Sequence, residues 1–133
     1  MNYNKMDADK AMIILMEYSG KRDVCQIFMK QNLFLTEPEM NTLWKNYLEF
    51  MVLKAFHCDL GSHTSMKLST CELMDDLWHC HVLCTQRYHE FMQLINSINP
   101  MVDFIHHSLL LAYSSEDEKN QRREATSEAY RCP

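Results

Sequence analysis

Apolar residues recur along this chain at helical spacing, in segments parted by short polar stretches. Residues Asp7 to Tyr18 carry the run Ala11-Met12-Ile13-Ile14-Leu15-Met16. So short a run fits a buried helix or a strand, but its methionines and the flanking Asp7, Asp9 and Lys10 favour a helix, with Gly20 ending it. A second short helix is predicted from Arg22 to Gln31. Thr36-Glu37-Pro38-Glu39 reads as a capping box, with Thr36 as N-cap and Pro38 tolerated in the first turn. Leu43, Trp44, Tyr47, Leu48, Met51, Val52 and Ala55 then form a wide apolar face. This third helix fades near His57-Cys58, before the polar stretch Asp59 to Ser65.

Ser69-Thr70-Cys71-Glu72 reads as a second capping box, opening one long central helix over about 70–97 that Asn99-Pro100 stops. Its seam, Leu77, His81, Cys84, Tyr88, Phe91 and Ile95, alternates spacings of four and three, the pattern of a core stripe in a helical bundle. A short apolar segment, Met101 to Tyr113, is interrupted by His106-His107. From Ser114 the chain turns charged, and residues 114–133 read as a solvated C-terminal helix or tail, capped by Ser115 and Glu118 and ending near Tyr130. The expectation is an all-α, compact bundle of about five to six helices, one domain spanning residues 1–133.

Composition supports that class. The 133 residues are 47% hydrophobic and 23% charged, and 2 glycines and 3 prolines leave little turn chemistry for a many-stranded sheet. Lys and Arg number 13 against 18 acidic residues, a net charge of −5. That balance argues against nucleic acid as a partner. No apolar run reaches the ~18 residues of a membrane span, and the first residues lack the apolar stretch of a secretory signal. A cytoplasmic protein that does not enter membranes is the expectation. The 6 cysteines include no C-x-x-C, so the common zinc-knuckle and redox signatures are missing. Cys80 and Cys84, four apart, are close enough for one metal or a redox pair, or are small buried hydrophobes.

Five of the 7 histidines lie between His79 and His107. At about 100° per residue, His81 falls in the middle of the seam, while His79 lies about 160° away on the face of Asp75. Asp75 and His79, four apart, share that face and form a two-ligand half-site for zinc, iron or manganese. They could equally be a carboxylate orienting an imidazole, or a solvated surface pair. A third ligand would come from His106 or His107 if their segment folds back. His81 reads either as part of that pocket or as a hydrogen-bonded core residue, with Thr85 or Tyr88 as its partner.

The stretch from Tyr47 to Tyr130 resembles a family of small bacterial, plant and viral proteins known as glycine-rich domain-containing-like. Tyr47 and Phe50, Ser69, Asp75-Asp76-Leu77-Trp78-His79-Cys80-His81, Thr85 and Tyr88, Phe104-Ile105-His106-His107, and Thr126 with Tyr130 carry the resemblance. Cys84 stands where the family commonly has an acidic residue, Ser108-Leu109-Leu110-Leu111 replaces its proline-aromatic-glycine turn, and the glycine-rich tail is missing. The family has no established reaction, so the resemblance bears on sites more than on activity.

These readings converge on a helical module in which Asp75, His79 and His106 or His107 meet at a polar pocket around a divalent metal, with Trp78, His81, Thr85 and Tyr88 lining it. A metal-free module binding a protein partner is the first alternative. A metal-dependent hydrolase or oxygenase is the second, although no nucleophile elbow, phosphate loop or H-E-x-x-H occurs.

Overall fold

The computed structural model describes residues 5–56 and 71–106, with side chains from Ala8 onward. Five helices follow one another: α1 (Lys5–Met16), α2 (Lys21–Gln31), α3 (Glu37–Phe56), α4 (Glu72–Leu83) and α5 (Thr85–Ile98). The described fold is all-α. Helix α1 packs on α3 and α5, α2 on α4 and α3, and α4 on α5 and α3. The segment 107–133, with its expected solvated helix, lies outside the described residues.

The central helix is α3. From Phe50 to Phe56 every residue is buried, so this end of the helix is covered on all sides, whereas its first turns bury a single stripe, the expected one extended by Met40. Even Lys54 is enclosed, its ammonium 5.4 Å from the Phe50 ring centre and 5.1 Å from that of Trp78, where the ring faces attract the cation. The helix starts as its capping box requires. The Thr36 Oγ1 accepts the Glu39 N–H at 3.3 Å, and the Glu39 carboxylate accepts the Thr36 N–H at 3.0 Å. The Thr36 hydroxyl, donating to the same carboxylate at 2.7 Å, and then the Thr36 N–H hold the Glu39 carboxyl below the usual carboxylate range.

Two expectations about boundaries are corrected. The long helix over 70–97 is present as two helices. Cys84, with φ −81° and ψ 68°, adopts the inverse γ-turn conformation and divides its N–H between the carbonyls of Cys80 and His81. The seam continues across the break, because Leu77, His81, Tyr88, Phe91 and Ile95 are all buried; only Cys84 is half-buried. Periodicity therefore carried no sign of it. The fourth helix also starts later than the second capping box implies: Cys71 is the N-cap and makes no side-chain cap bond.

Asn99 does stop α5. The residue before a proline is pushed out of helical geometry, and Asn99 is extended at φ −135°, ψ 99°. Its buried side chain donates from Nδ2 to the Ala55 carbonyl at 3.1 Å and accepts the Met101 N–H at 3.2 Å. The chain after α5 is thereby tied to the end of α3.

Candidate functional site

His81 occupies the centre of the bundle with none of its surface exposed. Five aromatic rings surround it: Phe91 at 4.9 Å and Tyr88 at 5.0 Å between ring centres, then Tyr18 at 5.6 Å, Tyr47 at 5.7 Å and Trp44 at 5.8 Å. Tyr47 and Trp44 come from α3, Tyr88 and Phe91 from α5, and Tyr18 from the link between α1 and α2. Both ring nitrogens are bonded, Nδ1 to the Tyr47 hydroxyl at 2.7 Å and Nε2 to the Tyr18 hydroxyl at 3.1 Å.

The partners fix the protons. The Tyr18 hydroxyl donates to the Arg87 carbonyl, so its oxygen accepts from Nε2–H. Nδ1 is then bare and accepts the Tyr47 O–H. A neutral imidazole completes the chain from Tyr47 through His81 and Tyr18 to the Arg87 carbonyl. Burial pushes the His81 pKa down to about 3 and pushes both phenols up. A second chain runs beside it: the Trp78 indole N–H donates to the Tyr88 hydroxyl at 3.1 Å, which donates to the Ile105 carbonyl at 2.5 Å.

These bonds differ from those expected. His81 is bonded through Tyr18 and Tyr47, not through Thr85, which is exposed, or Tyr88, which meets the imidazole edge-on at 90°. Tyr18 escaped notice because it lies beyond the end of α1, where helical spacing no longer applies. Gly20 was the signal. Its φ of −76° needs no left-handed backbone, so it does not act as the expected helix-ending glycine. Any Cβ there would collide with the Tyr18 phenol; the glycine leaves room for the hydroxyl end of the ring to pass on its way to His81.

The remaining predicted residues lie elsewhere. Trp78 is buried against Phe50, with ring centres 5.9 Å apart. Asp75 is half-buried and His79 exposed, both on α4. His106 is exposed beyond α5, its ring 4.7 Å from that of Phe104, which in turn packs 5.5 Å from Tyr88. His107 lies outside the described residues. Among the described residues no group of three or more His, Cys, Asp or Glu side chains could hold a metal ion.

His79 lines a cleft of about 490 Å³ between α2 and α4. Ile27, Phe28, Gln31 and Asn32 form one wall; Asp76, His79, Cys80, Leu83 and Cys84 form the other. Phe28 and Cys80 are buried at its floor, while Ile27 and Leu83 stand 41% and 67% exposed at its rims. Burial raises the Cys80 thiol pKa to about 11, and contact with the Cys84 thiol adds to that. The cleft can receive an apolar group and offers polar atoms at its margin.

No helix among the described residues is long and apolar enough to cross a membrane. No family model, no curated protein and no solved structure matches the chain.

Proposed function

We propose that this chain is a helical protein-interaction module that seats an apolar helical segment of a partner protein in the α2–α4 cleft. The observation that carries this reading is the pair of exposed aliphatic side chains, Ile27 and Leu83, on the two rims of a cleft floored by Phe28. Apolar side chains facing each other across a concavity are what a docked amphipathic helix uses as anchors, and aliphatic surface gathered in one place marks interaction sites more than scattered residues do. Leu33 and Phe34, 88% and 68% exposed, follow directly after Asn32 in the chain. Gln31, Asp76 and His79 supply polar groups of the kind found at interface rims. The aromatic cluster around His81 backs the α4 wall and takes no part in contact, since it is buried.

Selection of helical peptides from a random displayed library against the full chain tests the proposal. Amphipathic sequences should be enriched, and Leu83→Asp should weaken them at least about tenfold, which corresponds to about 1.4 kcal/mol. Enriched peptides that bind wild type and Leu83→Asp equally would place the interaction elsewhere and end this reading.

A further inference from the structure

We infer that Cys80 and Cys84, on the α4 wall of the cleft, form a two-thiolate site for a soft monovalent cation, copper(I). The inference does not depend on what occupies the rims. The two residues are four apart across the last turn of α4, so their side chains share a face. Both line the cleft, the Cys84 N–H returns to the Cys80 carbonyl at 3.2 Å and so keeps the two residues one turn apart, and neither is bridged to another cysteine. Cys84 ends the helix with its backbone turned to ψ 68°, which sets the second thiol at the break between α4 and α5.

The donor set selects the ion. Thiolates prefer soft metals, and calcium or magnesium require oxygen ligands in number. A closed zinc site takes four protein ligands, whereas copper(I) is satisfied by two thiolates in a nearly linear arrangement. Around the pair, Phe28, Ile27 and Leu83 provide apolar surface, and an apolar shell limits solvent access and favours the lower oxidation state. Binding is an exchange without electron transfer: two S–H bonds break, two Cu–S bonds form, and both protons pass to solvent.

Anaerobic titration of the reduced full chain with copper(I), read against the chromophoric competitor bicinchoninate, tests the site. The remaining cysteines are common to wild type and variants, so the difference between proteins reports on this pair. The C80S/C84S double variant should bind one equivalent less than wild type. X-ray absorption of the one-equivalent wild-type complex should show sulfur ligands only. Equal stoichiometry in the double variant, or nitrogen in the first coordination shell, overturns the inference. If circular dichroism shows that the double variant has lost its helices, Cys84→Ser alone decides between the outcomes. That half-buried position tolerates an isosteric hydroxyl, and loss of one equivalent supports the site while undiminished binding rejects it. Peptide selection at Leu83 and metal stoichiometry at the thiols are read independently, so failure of one leaves the other standing.

Discussion

His81 illustrates how a buried ionisable side chain is kept neutral. Its two nitrogens are matched to one donor and one acceptor, and the surrounding rings leave no room for water. Removing the Tyr47 phenol would leave the buried Nδ1 unpaired, at a cost of about 1–3 kcal/mol. The same arrangement sets a pH dependence. The folded-state pKa lies near 3, against an ordinary value of 6.5, so below 6.5 the unfolded chain takes up a proton that the native state refuses. The His81 contribution to stability is therefore complete above about pH 6.5. It falls by about 1.4 kcal/mol per pH unit as the pH drops towards 3. Denaturant unfolding at pH 7 and pH 5 should show this loss in wild type and a smaller one in His81→Gln; equal slopes would mean that the imidazole is already charged in the native protein. The central position of His81 was legible from the seam, because spacing alone places a residue on a stripe. Its hydrogen-bond partners were not, since Tyr18 and Tyr47 reach it from 63 and 34 residues away along the chain.

At the scale of elements, most starts and stops follow local rules. Thr36 and Glu39 cap α3 as their spacing requires, and Asn32 closes α2 by donating its side-chain amide to the Phe28 carbonyl at 3.0 Å. The link between α1 and α2 is different. Two turn bonds, Glu17 N–H to the Ile14 carbonyl at 3.2 Å and Tyr18 N–H to the Leu15 carbonyl at 3.1 Å, bend the chain so that Tyr18 turns inward over Gly20. Gly20→Ala should force the phenol aside, destabilising the protein by about 1–3 kcal/mol, as overpacking does. It should also weaken the hydrogen bond at His81 Nε2. Thermal unfolding together with the imidazole nitrogen resonances checks both effects; unchanged resonances would show that the ring accommodates a methyl group. The division of the expected long helix at Cys84 belongs to this scale as well. No glycine or proline marks it; just beyond it, in the first turn of α5, the Arg87 carbonyl accepts from the hydroxyl of Tyr18, a residue far away along the chain.

For the molecule as a whole, the described helices are joined mainly by apolar burial. One polar tie links α2 to α5: the Arg87 guanidinium Nε lies 2.9 Å from the Asp23 carboxylate while its Nη1 lies 2.7 Å from Glu90. These side chains are 38–50% exposed, so water screens the pair. Asp23→Asn should cost less than about 1 kcal/mol at low salt, and the difference should vanish near 1 M salt; a larger, salt-independent loss in denaturant unfolding would assign the residue a packing role. The α2–α4 cleft belongs to the same scale. Ile27 and Leu83 each look like ordinary helix-surface residues, and only the approach of the two helices makes them opposite rims of one concavity.

Local chemistry settled the helical class, the capping of α3, the stop at Asn99-Pro100 and the apolar stripe through His81. Each depends on residues within a few positions of one another, where spacing and backbone preference decide. The aromatic enclosure of the imidazole, the break at Cys84, the reason for Gly20 and the cleft on α4 were decided by tertiary packing. Each joins groups far apart in the chain, and hydrophobic burial, being non-directional, brings faces together without specifying in the linear order which polar atoms will meet.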